Sequence, residues 1–155
     1  MQPIVHVIAT TFEGTRAAIA AAVPLAKGAG ARLVVIVPRI VSYAVDLDSP
    51  VESTAFFVKR YRELVEERGG AADIDVCLCR SIEDLVARVA KANSHVVIGG
   101  PAGRWLTSPE ERFANRLIHA GCAVVFVACG TNPTQRRVPP GAAALLALGA
   151  LLSHL

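Results

Sequence analysis

Apolar and polar positions follow two alternating patterns along this chain. Five short runs are almost entirely apolar, and the segments between them carry apolar residues at helical spacing. Apolar runs without polar alternation are typical of parallel strands that helices cover on both faces. The pattern therefore predicts the order β-α-β-α-β-α-β-α-β, a single five-stranded parallel sheet in a doubly wound α/β domain with four helices. The predicted strands are Ile4 to Ile8, Leu33 to Val37, Ile74 to Leu78, Val96 to Ile98 and Ala123 to Ala128.

Four segments place a hydroxyl residue three positions before an acidic residue. This spacing is typical of a capping box, in which the hydroxyl accepts from the N–H of the third residue and the acid reaches back. The pairs are Thr10 and Glu13, Ser49 and Glu52, Ser81 and Asp84, and Ser108 and Glu111. Each predicted helix also has a residue suited to its end, namely Gly28 or Gly30, Gly69 and Gly70, Asn93, and Gly121.

The composition changes after residue 130. Residues 131–141 form a polar, proline-containing linker, and residues 142–155 form an Ala/Leu-rich tail. Leu145, Leu148, Leu152 and Leu155 recur at spacings of three, four and three, which predicts a short helix with an apolar seam. Its length of about 22 Å is short of a bilayer core. Three fates stay open: docking on a dimer or another protein, weak membrane association aided by Arg136 and Arg137, and disorder.

Charge and cysteine usage exclude several function classes. The net charge is +3, and the arginines are scattered without forming a stripe, so nucleic acid is not expected as a partner. The four cysteines lie in strand-like runs without zinc-ligand spacing, which predicts buried free thiols and no metal site. The first residues read as a strand rather than a signal peptide, which favours a cytoplasmic protein. No nucleophile motif appears, so no catalytic residue is predicted.

The segment from His95 to Gly103 is the strongest sign of chemistry. An apolar strand runs into glycine-rich residues 99–103, and a helix capped by Ser108 follows. Glycines and a helix start together are a common way to hold phosphate. The candidate binding residues here are Gly99, Gly100, Gly103, Arg104 and Ser108. Two acids, Glu110 and Glu111, occupy the first helical turn, where the helix dipole favours each by about 0.3 to 1 kcal/mol, so the position already contains anions.

Three stretches carry a resemblance to the universal stress protein family. Gly30-Ala31-Arg32-Leu33 leads into the second strand, Val96-Val97-Ile98-Gly99-Gly100 leads into the glycine segment, and Arg116 to Val127 resembles the family's last helix and strand. The resemblance covers about Ile4 to Cys129, so the domains are 1–130, linker 131–141 and tail 142–155. It implies the strand order 3-2-1-4-5, with Cys122 to Cys129 at a sheet edge. An edge this apolar is an aggregation hazard unless it is paired, and the resemblance implies that it pairs with the same strand of a second subunit in a homodimer.

Nucleotide-binding members of that family have an aspartate after the first strand and a Gly-x-x-Gly motif followed, nine residues on, by Gly-Ser or Gly-Thr. The aspartate position falls on Thr10, which lacks the two acceptor oxygens of a carboxylate. Gly100-Pro101-Ala102-Gly103 satisfies Gly-x-x-Gly, but nine residues later the chain has Phe113-Ala114. Counting back from Cys122 puts the Gly-Ser pair on Glu110-Glu111 instead. Neither register restores the motif.

The resemblance, together with these departures, leads to one main hypothesis and two alternatives. The main hypothesis is a cytoplasmic, non-enzymatic regulatory domain that acts by protein association, with ATP binding weak or lost and no cofactor. The first alternative is an ATP- or AMP-binding stress switch that uses Mg-ATP and residues 99–103. The second is a slow ATP hydrolase. The protein partner is not identified by the sequence.

Overall fold

The computed structural model describes residues 2–47, 54–91, 95–102 and 106–129. Helices and strands alternate throughout this part of the chain, as the hydrophobic pattern predicts. The elements in chain order are β1 (Ile4–Ile8), α1 (Phe12–Gly28), β2 (Arg32–Ile40), α2 (Thr54–Glu67), β3 (Asp73–Cys79), α3 (Ile82–Lys91), β4 (His95–Pro101), α4 (Pro109–His119) and β5 (Ala123–Cys129).

The five strands form one parallel sheet in the order β3-β2-β1-β4-β5, which confirms both the doubly wound topology and the order implied by the resemblance. Buried side chains of α1 and α2 pack against one face of the sheet, and those of α3 and α4 pack against the other. The central strands β1 and β4 are therefore covered on both faces, which explains why their sequences do not alternate with polar residues. β3 and β5 lie at the two edges.

The helix caps confirm two of the four predicted capping boxes. Ser108 accepts from the N–H of Glu111, whose carboxylate accepts in return from the N–H of Ser108. Ser81 and Asp84 exchange the same two bonds. The prediction for Thr10 is wrong by one residue, because Thr11 caps α1 by accepting from the N–H of Gly14 at 3.1 Å. The cap predicted at Ser49 and the helix end predicted at Asn93 lie outside the described residues.

The strands are longer than the apolar runs. Because pairing between neighbours continues past Val37, where the apolar run ends, β2 extends to Ile40 opposite Cys79 of β3. For the same reason β4 includes Gly99, Gly100 and Pro101, which pair with the end of β5. The predicted end of this strand at Ile98 is thus wrong by three residues.

Other predictions concern residues that the structure does not describe. These are Gly103 and Arg104 of the candidate site, linker residues 131–141 and tail residues 142–155. Among the described helices, none has both the length and the apolar character needed to cross a membrane.

Candidate functional site

The candidate site residues lie at the topological switch point of the sheet, between β1 and β4. β1 lies at the centre, with β2 on one side and β4 on the other, so the connections after β1 and β4 lead to helices on opposite faces. Crevices at the carboxyl ends of such strands are where doubly wound proteins bind ligands. The structure brings Thr10, Gly99, Gly100 and Ser108 to this end of the sheet.

The junction between β1, β4 and the start of α1 is closed. The Thr10 hydroxyl donates a 2.6 Å hydrogen bond to the carbonyl oxygen of Gly99. Gly14, in the first turn of α1, sits so close to Gly99 that a Cβ on either glycine would collide with the backbone of the other. The side chain of Thr10 has therefore already used its only donor, and backbone contact fills the space between helix and strand.

A second hydroxyl stabilises the same turn. Thr15 is fully buried, accepts from the N–H of Thr10 at 2.9 Å and donates to the carbonyl of Thr11 at 2.8 Å. Since each buried polar group here has a partner, the turn from β1 into α1 is fixed by hydrogen bonds on both sides. This network holds Thr10 against Gly99.

Glu110 covers the glycine that the sequence assigns to phosphate. A Cβ built on Gly100 would lie 2.7 Å from both Cβ and Cγ of Glu110, so this side chain rests on the bare backbone of β4. Its Oε2 is shielded from solvent and has no hydrogen-bond partner among the described residues. The carboxylate of Glu111 instead accepts from the N–H of Ser108 and completes the capping box. The two acids thus have different roles: one caps the helix and the other occupies the glycine surface.

Two carboxylates act on the end of β5. Burial raises the pKa of the Cys129 thiol at the end of β5, and the carboxylates of Glu13 and Glu110 raise it further. Both carboxylates therefore act on the point where β4 and β5 end. Within the described part of the chain, no arginine or lysine forms a salt bridge with Glu110.

A cavity of about 230 Å³ lies beside Glu110, between the carboxyl ends of β1, β2 and β3 and the first turns of α3 and α4. Its walls are mainly carbon, and its lining includes Ile8, Ile40, Cys79, Leu85, Phe113 and Glu110. A larger hollow of about 430 Å³ lies elsewhere, between α1 and α2, and no strand residue lines it.

The cavity wall contains one of two neighbouring thiols. Cys77 and Cys79 point to the same face of β3, as their spacing predicts, with their Sγ atoms 3.2 Å apart. Burial, followed by the hydrogen bond with Cys77, raises the pKa of Cys79 to about 12. The four cysteines are free. Thiols held in the protonated form are poor nucleophiles and poor metal ligands. Among the described residues, no group of three or more His, Cys, Asp or Glu side chains is arranged to hold a metal.

The sequence missed two parts of this site. The sequence carries no signal for the role of Gly14, because an isolated glycine in a helix does not by itself mark a tertiary contact. The cavity was missed because its lining comes from five separate elements. Glu110 was recognised as an unfavourable acid, but its position on Gly100 depends on how α4 packs over β4.

No family model matches the chain. No curated protein sequence matches it either. Solved structures do match. A universal stress protein from Archaeoglobus fulgidus in complex with dAMP has a TM-score of 0.60 at 14% identity, covering 82% of this chain and 98% of that one.

Two further matches come from other organisms. A protein of the universal stress protein family from Burkholderia pseudomallei has a TM-score of 0.55 at 22% identity, covering 81% of this chain and 96% of that one. A universal stress protein family protein from Arabidopsis thaliana with AMP bound has a TM-score of 0.57 at 13% identity, covering 86% and 96%. The likeness extends over nearly the whole of each matched structure. The chain therefore has the fold of the universal stress proteins.

Proposed function

We propose that this chain is a non-enzymatic regulatory domain of the universal stress type that acts by association and no longer binds nucleotide phosphates. The proposed loss of phosphate binding rests on one observation: the side chain of Glu110 lies on Gly100, where a phosphate needs bare backbone. An arriving phosphate meets this steric block together with the negative charge of the carboxylate. Two unit charges about 4 Å apart at a protein surface repel by roughly 4 kcal/mol.

The closed junction supports the same proposal. The Thr10 hydroxyl donates to Gly99, and its single oxygen offers a ribose hydroxyl less acceptor capacity than the two oxygens of a carboxylate. Gly14 packs directly on Gly99, so backbone fills the space between α1 and β4 at this point. The free thiols are consistent with a reducing, cytoplasmic setting.

The main competing proposal is an AMP- or ATP-binding switch. Matched structures were solved with dAMP and with AMP, and the cavity beside β1 gives this chain an apolar recess at the carboxyl end of its sheet. The two proposals are distinguished by whether the natively purified protein releases nucleotide when it is denatured. The protein is purified natively and denatured, and the supernatant is analysed by mass spectrometry. We expect no stoichiometric ATP or AMP, and no rise in the thermal midpoint of unfolding with Mg-ATP. Stoichiometric nucleotide contradicts the loss of phosphate binding.

For association, we propose pairing of two copies through β5. Among the described strands β5 pairs only with β4, so it lies at the sheet edge, and it carries no charged residue. Exposed edge strands without charges tend to pair with another strand. Two copies related by a two-fold axis would extend the sheet across the interface, with each strand satisfying the free backbone groups of the other.

Ala128→Lys tests this interface. Ala128 is exposed on β5, and a lysine there brings like charges together across a two-fold axis, as natural edge strands do to prevent pairing. We expect the dimer dissociation constant to rise about tenfold or more, equivalent to about 1.4 kcal/mol. Sedimentation equilibrium measures this constant. Ala87→Lys, at an exposed position on α3, is the matched control and leaves it unchanged. Equal constants for the two variants place the interface elsewhere.

A further inference from the structure

Exposed apolar side chains are concentrated at one end of the domain. Among the described residues, eight large apolar side chains are at least 38% exposed. Four of them lie within residues 40–47, where β2 ends, and Leu106 lies just before α4. The other three, in the first turns of α1, α2 and α3, are Phe12, Phe56 and Ile82. Because all five strands are parallel, the eight side chains share the carboxyl end of the sheet, here called the carboxyl-end face.

Contacts between neighbouring elements connect the side chains of the carboxyl-end face. The guanidinium of Arg60 lies 4.1 Å from the ring centre of Phe12 and 5.9 Å from that of Phe56, which connects the starts of α1 and α2. The guanidinium of Arg80, just after β3, lies 5.2 Å from the ring centre of Tyr43, which connects the ends of β2 and β3. The cavity of about 230 Å³ lies at the same end of the sheet. Exposed apolar surfaces of this kind mark places where another segment or molecule docks.

The chain leaves the domain at this same face. Cys129, the last residue of β5, pairs with Pro101 at the end of β4. The two edge strands, β5 and β3, are four strand spacings apart, about 19 Å. Linker residues 131–141, fully extended, reach about 36 Å. The tail that follows them is therefore within reach of every part of the carboxyl-end face.

The tail has the composition of a segment that docks on an apolar surface. Residues 142–155 contain six leucines and no aspartate, glutamate, lysine or arginine. The seam of Leu145, Leu148, Leu152 and Leu155 predicts a helix of about 22 Å, close to the distance across the sheet. Docking removes the apolar surface of both the seam and the face from water, which favours it. A short tether also gives the tail an effective concentration in the millimolar range, which favours the chain's own face over a separate molecule.

We propose that residues 142–155 dock on the carboxyl-end face of their own domain, with the leucine seam against the apolar side chains around Ile40, Phe56 and Ile82. Crevices at this end of the strands are where doubly wound proteins bind ligands. The docked tail covers that end of the sheet, and a molecule that binds there has to displace it. The inference goes beyond the proposed function and is independent of it, since neither Glu110 nor phosphate binding enters the argument.

Isoleucine methyl groups test whether the face is covered in the full chain. Residues 130–155 contain no isoleucine, so every isoleucine methyl signal in an NMR spectrum reports on the domain. A soluble nitroxide broadens the signals of methyl groups that solvent reaches. On the domain itself Ile40 is 61% exposed and Ile82 is 39% exposed, whereas Ile4 is only partly exposed at the opposite end of the sheet. With the tail docked, we expect Ile40 and Ile82 to be broadened no more than Ile4. Strong broadening of both in the wild type overturns the inference.

Leu148→Asp places a carboxylate in the middle of the leucine seam and should release the tail. We expect the broadening of Ile40 and Ile82 to rise several-fold, while an unchanged Ile4 signal verifies that the domain is folded. Ala150→Asp is the matched control, because it adds the same charge on the opposite side of the predicted helix. It should keep the broadening of the wild type. If both variants lose protection, or neither does, the seam is not the docking surface and the inference is overturned.

A mixture of chains distinguishes docking on the same chain from docking on a second copy. Wild-type chain with labelled isoleucine methyl groups is mixed with an excess of unlabelled Leu148→Asp. If each tail docks on its own domain, the labelled domains stay as protected from the nitroxide as in the wild type alone. If protection is lost in the mixture, the tail docks on a second copy, and docking within one chain is overturned.

Discussion

Replacing Glu110 by serine is expected to give the chain a stabilising response to Mg-ATP that the wild type lacks. The change uncovers Gly100 and removes a negative charge from the first turn of α4. The serine hydroxyl then adds a donor for phosphate at the helix start. For a dissociation constant of about 0.1 mM, 1 mM nucleotide stabilises the folded state by about 1.4 kcal/mol. The thermal midpoint should then rise by roughly 5 °C, measured by differential scanning calorimetry.

A matched variant tests whether position or charge is responsible. Glu83→Ser makes the same change in the first turn of the neighbouring helix α3, where the acid is exposed and does not cover a glycine. It should leave the chain unresponsive to Mg-ATP. If Glu110→Ser is also unresponsive, the closure of Thr10 and Gly14 on Gly99 is sufficient to exclude the nucleotide, and Glu110 is not the deciding residue.

The fold was predictable because its signals are local. Apolar runs mark the strands, and Ser81 and Ser108 mark helix starts by their own hydrogen bonds. The error at Thr10 has a simple origin: two adjacent threonines both offer a capping hydroxyl, and only packing decides between them. Thr11 caps α1 because the Thr10 hydroxyl bonds to Gly99 from β4, 89 residues away.

The residues of the site were predictable from the sequence, but their arrangement was not. The sequence identified the glycines of β4 and the acids of α4, but glycine pairs occur both in turns and in strands that a helix approaches closely. Gly99 belongs to the second kind, because its partner Gly14 also lacks a side chain. This pairing is a tertiary contact between two small residues, and neither hydrophobic periodicity nor a local motif encodes it.

Gly99→Ala is expected to destabilise the folded state strongly. A methyl group on Gly99 collides with the carbonyl group of Gly14, which is helical backbone and cannot rotate away as a side chain does. Overpacking of this kind typically removes about 1 to 3 kcal/mol of stability, and we expect about 3 because both partners are backbone. Native domains have about 5 to 15 kcal/mol in total. Urea denaturation should show a lower midpoint with an unchanged slope, and the thermal midpoint should fall by roughly 10 °C.

Gly28→Ala is the control for the substitution itself. Gly28 is the last residue of the same helix α1, and a Cβ built there meets no atom within 4 Å. Because alanine restricts the unfolded chain and fits the helix, this variant should be unchanged or more stable by up to about 1 kcal/mol. Gly14→Ala approaches the contact from the helix side, since its Cβ collides with the carbonyl of Gly99. It should therefore be destabilised like Gly99→Ala. If both variants are as stable as Gly28→Ala, α1 and β4 do not touch at these glycines, and the junction is open to a ligand after all.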